Sequence, residues 1–483
     1  MLKRLSIIVY IFVFLFILRC GEESNNYPPN QPGNPNPSDG ETGVHLGVVL
    51  NWDCSDKDNN KLKYDVYFGT SYNPPLVASG ITENYYDPEG DLSKNTKYYW
   101  KVVASDGKYE TEGSLWSFTT GGGELIWRYK TDNYVVSSPY VIDGRVYIGS
   151  DDCNIYCLSA DDGSLIWEYQ TGSYVESSPC VVDGRVFIGS DDNYIYCLSA
   201  SDGSLIWKYP LSGQVYSSPF VEEGKVFIGS DDGFVYCFSA SNGSGVWVRR
   251  VGGPVRSSPY VFDNKVYVGD YGGYIFCLSA IDGSIIWRFN SYSAVHSSPL
   301  VINGRVYIGS TNFYTYCLLV GDGSVIWNNK TDGQIFSSPY VINDRVYIGS
   351  DDGYVYCLSS GNGSLIWKFM TGGYVESSPY VMDNLVYVGS NDGCIYCLSA
   401  DSGDIIWKYK TDGKVRSSPY VINNRIYVGS DDGYIYCLSA ESDELLNNWD
   451  FIENNKNDDI DMKSKDFNSK IYNESSKRYW SNL

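Results

Sequence analysis

Histidine is nearly absent from this chain of 483 residues. Only His45 and His296 occur, which leaves little material for histidine-based metal sites or catalytic triads. Positive charge is also scarce: 36 Lys and Arg stand against 58 Asp and Glu, a formal net charge of −22. That balance argues against a nucleic-acid partner, because phosphate needs a basic footprint. The N-terminal apolar run, residues 5–18, falls short of the roughly 20 residues that a membrane-crossing helix requires. What is abundant is Tyr (45) and Gly (49), and glycine-punctuated aromatic runs favour strands and turns. A helical bundle, a multi-span membrane protein and a disordered chain are thereby excluded. Length alone suggests about three domains.

Lys3 and Arg4 precede the apolar run, which is broken only by Ser6 and Tyr10; this is the pattern of an export signal. Ile17-Leu18-Arg19-Cys20-Gly21 follows and resembles a bacterial lipoprotein signal, in which Cys20 becomes the lipidated first residue. Arg19 departs from that pattern, where a small residue is usual. The expectation is a signal segment over residues 1–20, export to the cell envelope, and attachment to a membrane through a lipid anchor if Cys20 is acylated. Residues 21–43, with Tyr27-Pro28-Pro29-Asn30-Gln31-Pro32-Gly33 and Pro37, read as an extended Pro/Asn-rich linker with no core of its own.

Residues 44–120 show period-two runs separated by turn signals, the pattern of a small β-sandwich. Tyr64-Asp65-Val66-Tyr67-Phe68-Gly69, Tyr98-Tyr99-Trp100-Lys101-Val102-Val103-Ala104 and Trp116-Ser117-Phe118-Thr119-Thr120 are its clearest strands. Leu92, Thr96, Tyr98 and Trp100 together resemble the strand-F region of fibronectin type III domains, with Tyr98 as a tyrosine corner. Asp53, Asp56 and Asp58 read as a solvated turn, since the spacing and closing Glu of a calcium loop are missing.

A 40-residue repeat dominates the rest. Trp recurs at 127, 167, 207, 247, 287, 327, 367 and 407, and Cys at 157, 197, 237, 277, 317, 357, 397 and 437, with Ser-Ser-Pro in the same step. Eight repeats cover residues 124–443, and forty residues in about four short strands is the size of one propeller blade. In one repeat, residues 175–182, including Ser177-Ser178-Pro179, read as the first strand. Asp183-Gly184 suits a tight hairpin into Arg185-Val186-Phe187-Ile188-Gly189. Tyr194-Ile195-Tyr196-Cys197-Leu198 and Ser204-Leu205-Ile206-Trp207-Lys208-Tyr209 complete the set. The fold class is therefore all-β: an eight-bladed propeller preceded by a small sandwich. A Trp strand at 124–130 precedes the first Ser-Ser-Pro, while the expected last one decays to Glu444-Leu445-Leu446-Asn447-Asn448-Trp449. The strand 124–130 is thus expected to serve as the outer strand of the last blade, sealing the ring. The tail 444–483 reads as polar and disordered.

Ala200-Ser201-Asp202-Gly203-Ser204-Leu205-Ile206-Trp207 resembles the tryptophan-docking motif of PQQ-type β-propeller repeats. That family includes quinoprotein dehydrogenases and the propeller lipoprotein of the outer-membrane protein assembly machine. The resemblance implies the fold and leaves activity open, since one fold hosts enzymes and scaffolds alike. A quinoprotein, on this resemblance, would carry an adjacent Cys-Cys pair and long insertions building a calcium–quinone pocket. Neither occurs, so no cofactor is expected. The 13 cysteines read mainly as compact apolar residues. Cys394 and Cys397, three apart on a strand, should point to opposite faces, and no His follows Cys397 to attach haem.

Departures from the repeat mark a candidate recognition face. The residue ahead of each Ser-Ser-Pro is Val136, Glu176, Tyr216, Arg256, His296, Phe336, Glu376 or Arg416. Loops between second and third strands carry Asp151-Asp152, Asp191-Asp192, Asp231-Asp232, Asp351-Asp352 and Asp431-Asp432, which read as hairpin-turn chemistry. Asp270-Tyr271-Gly272-Gly273 and Thr311-Asn312-Phe313-Tyr314 break that pattern. A partner-binding surface is expected around the central channel, centred on Arg256, Tyr271, His296, Asn312 and Phe313 and including Glu176, Tyr216, Phe336, Glu376 and Arg416. His296 by itself reads as solvent-facing or loosely paired. Glu176 and Glu376 lie too many blades apart for one glycosidic bond. The reading is a monomeric, non-catalytic envelope scaffold for a protein or glycan partner. The alternatives are a polysaccharide-binding surface protein and, further off, a PQQ-dependent dehydrogenase.

Overall fold

The computed structural model describes residues 26–440, apart from 45–47, 89–91, 94–95 and 122. The export signal, Cys20, His45 and the tail 444–483 lie outside the described residues. Every regular element among those residues is a strand, and the chain divides into two units, Met1–Thr120 and Gly121–Leu483.

In the first unit, Gly33–Asn36, Leu50–Asp53 and Tyr85–Tyr86 form one sheet. Glu41–Val44, Trp116–Thr120, Lys97–Ser105, Lys63–Gly69 and Leu76–Ile81 form the second, with Glu110–Glu112 paired to Lys97–Ser105. Strict alternation along Lys97–Ser105 buries Tyr98, Trp100, Val102 and Ala104. They meet Trp52, Trp116 and Phe118 in the core, with the Trp100 and Trp116 rings 4.7 Å apart. The backbone N–H of Ser93 donates to the Tyr98 hydroxyl at 2.9 Å, pinning the chain five residues upstream. Asp56 Oδ1 accepts from the N–H groups of Asp58 (2.8 Å) and Asn60 (3.1 Å), which accounts for that acidic stretch as a turn.

The Pro-rich stretch is not a free linker. Gly33 pairs with Asp53 and Asn36 with Asn51, and Pro29, Pro32 and Pro37 are buried. Gly33–Asn36 is an edge strand, where the ladder bonds that proline cannot make are not needed. Composition flagged the prolines; it carried no sign of the edge that accommodates them.

The second unit holds eight four-stranded sheets among the described residues, here numbered as blades one to eight from the sheet that begins at Tyr140–Ile142. Blade two is representative: Cys180–Val182, Arg185–Gly189, Tyr194–Ser199 and Leu205–Pro210, all antiparallel. Asp183 and Gly184 turn its first hairpin at φ of 51° and 69°, as the Asp-Gly pair predicts. Blade eight closes across the two ends of the repeat region. Leu125–Lys130 pairs with Tyr434–Ser439, with Trp127 opposite Cys437, as expected from the split repeat.

The innermost strand is shorter than expected, three residues rather than eight, because Ser-Ser-Pro does something other than ladder pairing. The N–H of Ser138 donates to Ser178 Oγ at 2.9 Å, and the same bond recurs from each blade to the next until Ser418 donates to Ser138. The preceding serine turns inward: Ser177 Oγ accepts from the Gly189 N–H at 3.1 Å and donates to Ser217 O at 3.0 Å. A belt of serine hydrogen bonds therefore encircles the ring at the inner strands.

Farther out, each Trp docks on the next blade. Trp167 Nε1 donates to Ala200 O at 3.1 Å, and Arg145 Nη1 (2.6 Å) and the Tyr147 hydroxyl (3.2 Å) donate to the same carbonyl. Gly203, at φ +74°, lies against the indole: a Cβ there would stand 2.7 Å from Trp167 Cδ2 and Cε3, so only glycine fits. For Trp407 that glycine is Gly123, contributed from the other end of the repeat region. The eight repeat cysteines are buried, as a compact apolar position requires. Cys394 packs with Trp367 and Cys397 with Trp407, in two different inter-blade cores.

Candidate functional site at the channel mouth

The belt positions the site. Behind it Val135, Val175 and their equivalents are fully buried, so the next residue, ahead of each Ser-Ser-Pro, is half-buried on the ring's inner face. The loops between second and third strands reach the same place: Asp151 N–H is held by Tyr134 O at 2.9 Å and Asp191 N–H by Tyr174 O at 2.9 Å. Residues from the two series alternate around the mouth.

Blades three to six supply an aromatic arc. The Arg256 guanidinium lies 4.2 Å from the Tyr216 ring centroid and 5.0 Å from that of Tyr271. Tyr271 meets His296 at 4.4 Å, and His296 meets Phe336 at 4.7 Å. Arg256 also clamps Asp231 of the preceding blade through Nε and Nη2, the latter at 2.7 Å. Five expected residues, Tyr216, Arg256, Tyr271, His296 and Phe336, are thus brought together. His296 is half-buried. It is packed between rings, and burial, reinforced by Arg256, pushes its pKa down to about 4.

Asn312 does not join the arc. Its amide donates to Tyr316 Oη (2.8 Å) and Ser291 O (2.5 Å), tying two loops together. On those loops stand Phe313, 38% exposed, and Tyr292, 88% exposed, both at left-handed φ (76° and 65°). Bulky residues are uncommon there. Most repeats carry Gly at the Phe313 position, and Asp, Gly or Ser at that of Tyr292. Tyr292 was missed by sequence reasoning, although comparing that column across repeats would have exposed it.

The remaining arc is charged. Arg416 clamps Asp431 through Nε and Nη2 at 3.0 Å each, and Glu376 accepts from Asn391 Nδ2 at 2.8 Å. Glu176 lies between Asp151 and Asp191 and feels both arginines. Burial, then the charge of Glu176, pushes Asp151 up to about 7. Burial raises Asp191 and Asp351 to about 6, and raises Glu176 as well. The paired aspartates have separate jobs. The second of each pair is turn chemistry, as expected: Asp152 accepts from Tyr156 Oη (2.8 Å), Asn154 N (2.9 Å) and Asp132 N (3.0 Å). The first faces the mouth. Among the described residues no three His, Cys, Asp or Glu side chains are grouped to hold a metal ion.

These shifts set a pH dependence. Between its ordinary 3.8 and about 7, the Asp151 carboxyl holds a proton in the folded chain that the unfolded chain has released. Stability therefore falls as pH rises through that window and is level above it. His296 acts oppositely, losing stability as pH falls from 6.5 to about 4. Asp151→Asn should accordingly raise the thermal midpoint at pH 8 and leave it unchanged at pH 4, as thermal denaturation at the two values would show.

Comparison with known proteins agrees with the fold. A family model of the beta-propeller of the beta-alanine-activating enzyme matches residues 109–343, and one of outer membrane protein assembly factor BamB matches residues 351–455. No curated protein sequence matches the chain. Among solved structures, BamB from Moraxella catarrhalis is similar at a TM-score of 0.59 and 20% identity, over 66% of this chain and 99% of that one. The computationally designed Ika8 protein is similar at 0.60 and 15%, over 66% and 100%. Quinohemoprotein alcohol dehydrogenase from Comamonas testosteroni is similar at 0.58 and 14%, over 65% and 76%. Together they support the β-propeller fold.

Proposed function

We propose that this chain is a non-catalytic cell-envelope scaffold that receives a protein partner on the face around the channel mouth. One observation carries the reading. The mouth's distinctive side chains are engaged in stacking and ion pairing, Arg256 with Asp231 and two Tyr rings above all, and they form a shaped surface rather than an acid–base pair over a cleft. The match of residues 351–455 to an outer-membrane assembly factor supports protein partners in the envelope. Export with a lipid anchor at Cys20, a monomeric state, and a fibronectin type III-like role for the first unit belong to the same proposal; the Ser93–Tyr98 bond supports the last of these. A glycan partner is the second reading, favoured by the exposed rings of Phe313 and Tyr292.

Placing a photo-crosslinking amino acid at Phe313 tests the reading in intact cells. The control site is Ile281, 68% exposed in the turn between third and fourth strands at the opposite end of the blade. Discrete protein adducts from position 313 and none from 281 are expected. Equal labelling from both sites, or dye reduction by the purified chain supplied with PQQ, calcium and an alcohol, would overturn it.

A further inference from the structure

Five aspartates occupy one ring position at the channel mouth: Asp151, Asp191, Asp231, Asp351 and Asp431. Two are clamped by a guanidinium, Asp231 by Arg256 at 2.7 Å and Asp431 by Arg416 at 3.0 Å. The other three each leave a buried Oδ1 with no hydrogen-bond partner among the described residues. Two of them flank Glu176, and both are more than nine-tenths buried: Asp151 is 7% exposed and Asp191 8%. A buried carboxylate oxygen without a donor is costly, and like charges beside it add to the cost. Where the ring clamps one of these aspartates with a cation, that cation is arginine, while Asp191 is reached by the Tyr216 hydroxyl alone.

We propose that the acidic cluster of Asp151, Glu176 and Asp191 receives an arginine side chain from a basic segment of the partner protein, repeating in trans the clamp that Arg256 and Arg416 make in cis. This rests on the scaffold reading and names the chemistry of the contact. A guanidinium suits the place because its planar fork donates several hydrogen bonds at once to neighbouring carboxylates. The partner's arginine enters at the mouth, where the field of Glu176 already reaches Arg416 and Arg256.

The test titrates the full chain by calorimetry at low ionic strength with acetyl-Gly-Arg-Gly-amide and with its uncharged citrulline analogue. Binding of the arginine peptide alone is expected. The pair Asp151→Asn/Asp191→Asn should weaken it at least about tenfold, the scale of a lost charge-assisted contact. Glu176→Arg should abolish it while raising the thermal midpoint, since the cluster would then hold its own cation. The charge-matched pair Asp202→Asn/Asp322→Asn, in fully exposed turns between third and fourth strands, should leave binding unchanged. Equal binding of the citrulline peptide, equal loss in the charge-matched pair, no binding of either peptide, or calcium binding at these carboxylates in place of the peptide overturns the inference. Crosslinks from position 313 that persist in the Asp151→Asn/Asp191→Asn chain leave the scaffold reading standing even then. Loss of discrete crosslinks in the unaltered chain overturns that reading instead.

Discussion

Trp287→Ala should lower the unfolding free energy of the ring by about 3–5 kcal/mol, the usual cost of emptying a large aromatic site. Trp287 is 8% exposed, packs 5.9 Å from the Tyr267 ring, and donates through Nε1 to Val320 O at 2.9 Å. Removing it empties the contact between two blades, because Gly323 has no side chain to fill the space: a Cβ built on it would lie 2.6 Å from Trp287 Cε3. The carbonyl of Val320 also loses its donor. Trp287→Phe keeps much of the apolar area and should cost distinctly less. Urea unfolding followed by circular dichroism measures both; a loss below about 1 kcal/mol for the alanine variant would contradict inter-blade docking as a main source of stability.

Removing the closing segment should have a larger effect still. A chain beginning at residue 131 lacks Leu125–Lys130, the strand that covers Tyr434–Ser439, and lacks Trp127 with its bond to Ala160 O. It also lacks Gly123, on which Trp407 rests and whose N–H donates to Ser439 O at 3.1 Å. Burying one Trp is worth on the order of 4–6 kcal/mol gross, and the uncovered strand becomes an open edge that templates association. The expected result is oligomers by light scattering and fast amide exchange at 434–439. A chain beginning at residue 121 keeps the segment and should remain monomeric with protected amides. Identical behaviour of the two chains would show that closure by this strand is dispensable.

Most of the ring was legible because its determinants are periodic and local. Trp, Cys and hairpin turns of Asp, Asn, Glu or Gly recur in one 40-residue step, and each marks the same place in every repeat. The serine belt was not, since a repeated Ser-Ser-Pro does not say that its donors reach forty residues ahead. The edge strand Gly33–Asn36 hid behind proline content, which reports a missing donor and nothing about neighbours. At the mouth, departures from the repeat singled out Arg256, Tyr271 and His296. Their partners were not readable, because the ring geometry lets Arg256 take the aspartate of the preceding blade while Arg416 takes that of its own. Asn312 looked like a surface contact and is instead a brace between two loops, a difference that depends on where its amide finds acceptors.

Every link of the serine circuit runs in one sense, main-chain donor to the hydroxyl of the following module, and the last link returns to the first. Such a circuit has a direction of rotation yet no origin. Each module is both giver and receiver, so an alteration in any one of them is felt by two neighbours and by no privileged position.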